Sequence, residues 1–162
     1  MTGNTHIIGG IAAGLALEQV SNYDSLVLVG ASVIGALLPD ICHTGSKIGR
    51  TFPLISKIVH NIFGHRSFTH SLLFLFLIGM FMNNYISNES FKAGILIGMM
   101  SHYMLDMATK KGIKLLFPLN INVRFPVTTR TGSKTEDIVT ILLTVLCVYL
   151  GFETISHSFI LK

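Results

Sequence analysis

The stretch Phe91–Thr109, FKAGILIGMMSHYMLDMAT, decides the fold. It reads as one apolar helix whose C-terminal part carries His102 and Asp106, four residues apart and so on one face. Four more apolar segments lie outward from it, at about His6–Val20, Ser25–Leu38, Phe68–Ile86 and Thr135–Ser156. Their ionisable residues keep to particular ends. His6 opens the first, Asp40 and His43 close the second, His65 and His70 open the third, and Glu136 opens the fifth. If every segment crosses a membrane, up-and-down threading brings all of these ends, with His102 and Asp106, to one side.

Composition supports a membrane setting. The 162 residues suffice for a single domain, 1–162. Half are apolar, only 12% are charged, and mean hydropathy is +0.62. A soluble domain of this size would struggle to hide that much apolar surface, so a soluble helical bundle is the lesser reading. Met1 to Asn4 carry no Lys or Arg, so no signal peptide is indicated and the first helix is expected to stay in the mature protein. Cys42 and Cys147 lie in different segments and form no CxxC pair, which argues against a disulfide framework and a thiolate zinc site.

Charge placement predicts orientation. Ten of the twelve basic residues fall between segments two and three or between four and five, on the His/Asp side; only Lys92 and Lys162 lie opposite. The positive-inside rule makes the His/Asp side cytoplasmic. The expected topology is a multi-pass cell-membrane protein with its N-terminus and polar site inside and its C-terminus outside. Nucleic acid is not an expected partner, because the basic loops adjoin membrane segments and have little aromatic interleaving.

The expected fold is therefore all-α: a polytopic helical membrane bundle of about five helices with an added interfacial helix. The latter is read from Phe52, Ile55, Ile58, Val59, Ile62 and Phe63, which recur at helical spacing in a basic loop. An ordinary core-packing helix fits the same pattern. Several segments hold only about 15 continuous apolar residues, roughly 22 Å of helix against a hydrocarbon core of about 30 Å. The loop from Ile113 to Lys134, with Pro118 and Pro126, reads as irregular with room for short strands.

Three clusters can carry chemistry. His102-x-x-x-Asp106 can bind one metal or bridge two, or it can simply fasten helices as a hydrogen-bonded pair. In His65-Arg66-Ser67-Phe68-Thr69-His70 the histidines can converge, and Arg66 offers a forked donor for phosphate or carboxylate. In Leu38-Pro39-Asp40 the carboxylate sits just past a helix C-terminus, where the dipole disfavours it, so a cation or basic partner is implied. His6 follows Thr5 at the start of helix one and can equally be a surface histidine. Glu136 fits a capping box with Ser133. Nitrogen and carboxylate donors without thiolates suit Zn²⁺, Mn²⁺ or Fe²⁺.

Thr5-His6, Leu38-Pro39-Asp40, Gly64-His65-Arg66-x-x-Thr69-His70-Ser71, His102-x-x-x-Asp106 and Thr131-Gly132-Ser133-x-x-Glu136 together resemble the YdjM-type family of membrane-bound metal-dependent hydrolases. That family is distantly similar to zinc-dependent phospholipase C and the single-strand-specific zinc nucleases. The resemblance implies a helical fold, with His6, Asp40, His65, His70, His102 and Asp106 as metal ligands for one or two ions, most simply Zn.

The function expected on this basis is hydrolysis of a phosphoester in a phospholipid or lipid-linked phosphate at the cytoplasmic membrane face. Asp40, Asp106 or Glu136 would act as general base, and Arg66 with Lys110 or Lys111 would hold phosphate. The alternatives are a metal-ion binding or transport protein and a non-catalytic membrane scaffold.

Overall fold

The structure is a computed structural model that describes residues 1–63 and 66–160. Among the described residues seven α-helices follow in chain order: α1 (Gly3–Glu18), α2 (Ser25–Leu37), α3 (Lys47–Thr51), α4 (Pro53–Phe63), α5 (Leu72–Tyr85), α6 (Glu89–Met107) and α7 (Lys134–Ile160). Short 3₁₀ turns span Leu38–Cys42 and Phe68–His70. Among the described residues there is no strand. Two isolated bridges, Thr109 with Thr129 and Ile113 with Val123, are all that the 113–134 loop region makes of the expected short strands.

The boundaries follow local chemistry. The side chains of Thr2, Asp24, Ser46, Ser71 and Asn88 each accept a backbone N–H at the start of a helix, which satisfies donors the first turn leaves open. The third segment, read as starting near Phe68, becomes α-helical only at Leu72. Ser71 caps there, and the three residues before it form the tighter turn. Pro39 ends α2 as an α-helix, and the chain continues as a 3₁₀ turn.

Helix α2 packs against both α1 and α6, α1 also touches α6 and α7, and α5 rests on α6. Ala31, Ile95, Met99, Tyr103 and Ile113 form the buried cluster at the centre. The α2–α6 contact brings backbones together. A Cβ at Gly35 would overlap the Ile95 carbonyl, and one at Gly98 the Ser32 carbonyl, so only glycine fits at either place. Ser32 Oγ also donates to the Gly10 carbonyl at 2.8 Å, joining α2 to α1. At the opposite end of the bundle the Glu18 carboxylate accepts from Ser25 Oγ at 2.9 Å and from Thr154 Oγ1. Gln19 Nε2 donates to Thr154 Oγ1 at 2.8 Å, so α1, the start of α2 and α7 are tied together there.

Ser25–Cys42 and Lys134–Thr154 are long and apolar enough to cross a membrane, and Leu72–Tyr85 is apolar but shorter. Of the remaining segments, α1 has 16 residues and α6 carries Glu89, Lys92 and Asp106. Helix α7 leaves Ile138, Ile141, Leu142, Val145, Val148 and Phe152 exposed along its length. A continuous apolar face of that size is suited to lipid rather than water.

Candidate metal centre

Five described side chains from four elements meet at one end of the bundle. His6 comes from the first turns of α1, Asp40 from the 3₁₀ turn after α2, and His70 from the turn ahead of α5. His102 and Asp106 come from the inward face of α6. His6, His70, His102 and Asp106 are buried, and the Asp40 side chain keeps 14% exposure at the edge. His65 lies outside the described residues.

The donor atoms have the separations of a coordination shell. His70 Nε2 and His102 Nε2 are 3.1 Å apart. Asp106 Oδ1 is 3.3 Å from His6 Nε2, and Asp106 Oδ2 is 3.5 Å from His70 Nε2 and 3.7 Å from His102 Nε2. Asp40 Oδ1 stands 3.8 Å from His70 Nε2 and 3.9 Å from His102 Nε2. Ligands about 2.0–2.1 Å from one tetrahedral ion lie about 3.4 Å from each other. Two sets have all their donor atoms within 4.8 Å of one another, His6–Asp40–His102 and His70–His102–Asp106. His6 Nδ1 and His6 Nε2 are buried without a hydrogen bond. Orphaned buried polar atoms are rare, and a cation would satisfy these. The residues therefore fit a divalent metal.

The surroundings orient the donors. His102 Nδ1 donates to the Ala36 carbonyl at 2.7 Å, so Nε2 carries no proton and faces the cluster. The ring of His6 stacks on that of His102 with centroids 3.7 Å apart. Tyr103 Oη donates to the Thr69 carbonyl at 3.0 Å and so fixes the turn that presents His70. Burial lowers the pKa of His70, but its hydrogen bonds with Asp106 and Cys42 outweigh that and lift it to about 9.

Asp106 also collects positive charge. The Met1 ammonium contacts Oδ1, and Arg66 Nη2 pairs with Oδ2 at 3.0 Å while Nη1 donates to Thr109 Oγ1 at 3.1 Å. Arg66 adopts φ +57°, a left-handed conformation that costs a non-glycine residue about 1–3 kcal/mol and is held by these partners. Beyond Arg66 opens a cleft of about 760 Å³. Asp40, His43, Lys110, Lys111, Thr129, Arg130 and Thr131 line it.

Glu136 sits elsewhere. Its Oε1 accepts from Thr2 N at 2.5 Å and Thr5 Oγ1 at 2.7 Å, and its Oε2 accepts from Gly132 N at 2.6 Å. It belongs to neither donor set. The expected capping box with Ser133 does not form. Ser133 Oγ donates to the Arg130 carbonyl instead, and the Glu136 carboxylate reaches Gly132 and the start of α1. Sequence reasoning missed Arg130, Thr129 and Thr131 as cleft residues. Their positions depend on the Thr109–Thr129 bridge, which no periodicity announces.

The chain as a whole is similar to known proteins. Residues 1–160 match the family described as YdjM inner membrane protein. The chain belongs to the YdjM inner membrane protein family. It is 49% identical over 149 residues to the protein YvsG of Bacillus subtilis (strain 168), covering 92% of this chain and 93% of that protein. It is 31% identical to the inner membrane protein YdjM of Escherichia coli (strain K12), covering 98% and 87%. It is 34% identical to the inner membrane protein YbcI of the same strain, covering 70% and 65%. No solved structure matches. As a YdjM-family member this chain is a membrane protein, and its apolar α7 face accords with that. The family match carries no likeness to phospholipase C.

Proposed function

We propose that this protein is a membrane-bound metal-dependent hydrolase that cleaves a phosphoester of a phospholipid or lipid-linked phosphate at the cytoplasmic membrane face. The observation that carries the reading is the convergence of His6, Asp40, His70, His102 and Asp106 at one end of the bundle, with Asp40 also lining a basic cleft. A catalytic site of this kind needs a cation where charge develops, a proton acceptor at its edge and fixed positive charge for the substrate.

His6, His70, His102 and Asp106 would hold the ion, with Asp40 at the open edge. A donor set of imidazole and carboxylate favours Zn²⁺, with Mn²⁺ or Fe²⁺ as the other candidates. A bound divalent ion supplies Lewis acidity toward a phosphoryl oxygen and makes water more acidic. Asp40, being part-exposed beside the cleft, is placed to take a proton from water. Lys110, Lys111 and Arg130 are exposed in the cleft and form no ion pair among the described residues; they suit the phosphate, and Arg66 adds its charge. Glu136, with both oxygens already accepting, acts on this reading by holding the start of α1, and with it His6. On this reading all five apolar segments would enter the membrane, and the basic loops beside the site would face the cytoplasm.

The test combines metal analysis with turnover. Protein purified in detergent is expected to carry stoichiometric metal and to release phosphate or a phosphorylated headgroup from a phospholipid panel. His102→Ala with Asp106→Ala should lose both. Retention of metal and activity by the double variant would refute the site. Metal without turnover on any lipid would leave a binding or transport protein, and no metal would leave a scaffold.

A further inference from the structure

We propose that α4 is a lipid-surface anchor that lies in the headgroup layer of an anionic membrane leaflet and holds the edge of the metal centre at that depth. Helix α4 has two different sides. Inward, Ser56 is buried, and His60 Nδ1 donates to the Cys42 carbonyl at 3.0 Å, which ties the helix to the 3₁₀ turn bearing Asp40. Outward, Leu54, Ile58 and Ile62 recur every fourth residue and are 73%, 51% and 66% exposed. They form a row that the protein itself does not cover.

The occupant of that row follows from length and charge. Eleven residues of helix extend about 16 Å, too short to cross a hydrocarbon core of about 30 Å. The helix can therefore lie on the membrane but not through it. The chain has no Asp or Glu between Asp40 and Glu89, while Lys47, Arg50, Lys57 and Arg66 all fall there. A short apolar row flanked by cations and by no anions is complementary to an anionic headgroup layer. The inference rests on the membrane location of the family and not on catalysis.

The chain contains no tryptophan, so one introduced at position 58 is a unique fluorophore. The experiment places full-length Ile58→Trp protein in vesicles of phosphatidylcholine and phosphatidylglycerol. The acyl chains are brominated either near the glycerol end or near the methyl end. Leu142→Trp, on the exposed face of α7, serves as the spanning reference, and Leu54→Trp replaces the first variant if that does not fold. The expected result is a blue-shifted emission that loses most of its intensity to the shallow bromines and little to the deep ones. Emission unaffected by either lipid and open to aqueous acrylamide overturns the proposal in favour of a solvated helix. Shielding from both bromine and acrylamide overturns it in favour of a second protein copy. Quenching by deep bromines, as at position 142, overturns it in favour of a buried span. The readout requires neither metal nor turnover, so its failure and the failure of the hydrolase reading are separate events.

Discussion

Replacing Gly10 by alanine tests whether helix packing sets the metal centre. Gly10 lies one turn beyond His6 on α1. A Cβ there would sit 2.7 Å from the Cβ of Ala36 and 2.8 Å from the Ser32 carbonyl oxygen. Ordinary contact begins near 3.4 Å, so α1 and α2 must separate by about 0.7 Å. The same movement stretches the Ser32 Oγ to Gly10 bond and shifts the Ala36 carbonyl that orients His102. Overpacking costs about 1–3 kcal/mol. The strained hydrogen bond adds about 1 kcal/mol, and the better helix propensity of alanine returns about 0.5–1 kcal/mol. The expected net loss is about 1–3 kcal/mol, read as a lower unfolding midpoint in detergent. Metal affinity, measured by competition with a chelating dye, is expected to fall about 10–100-fold because His6 and the partner of His102 both move. Gly30→Ala is the matched control, since nothing lies within 4 Å of a Cβ there; it should leave metal affinity unchanged. If Gly10→Ala keeps both midpoint and affinity, the rigid coupling of α1–α2 packing to the donors is refuted.

Other outcomes follow from the same geometry. Glu136→Gln turns an amide NH₂ toward Thr2 and Thr5 or toward Gly132, all donors; it should cost about 1–3 kcal/mol in the unfolding midpoint. His70, with its pKa lifted to about 9 in the metal-free protein, holds a proton at neutral pH that an ion must displace. Metal affinity should therefore rise as pH rises and level off near 9, with proton release on loading seen in weakly buffered solution. On the hydrolase reading, Arg130→Ala should raise KM about tenfold for a phosphate-bearing substrate with kcat little changed, since it removes a cleft charge and no donor; a fall in kcat alone would count against the cleft as a binding wall.

The helices were legible because their apolar runs are long and their ends are punctuated. Pro39 falls where a helix end was expected, and His102 and Asp106 share a face because four residues make about one helical turn. The amphipathic pattern after Phe52 also predicted α4. Three features were not legible. The Phe68–His70 turn looks apolar enough to continue a helix, and only the capping geometry of Ser71 breaks it off. Arg130 and its threonine neighbours reach the cleft through a pairing between distant loop residues. Glu136 had a local explanation in Ser133, yet its carboxylate serves residues more than a hundred positions earlier. Side-chain partners across such distances are set by packing, which a single sequence does not display.

His102 belongs to both donor sets, and its partner at Ala36 has a consequence for stoichiometry. An imidazole whose Nδ1 carries the proton has one lone pair left, on Nε2, and a lone pair makes one dative bond. His102 would therefore serve one ion at a time, so the two triads would be parts of one shell around one ion. Any second ion would have to be held without His102, by His6 with Asp40 or by His70 with Asp106, and with fewer protein donors would be the weaker and more easily exchanged of the two.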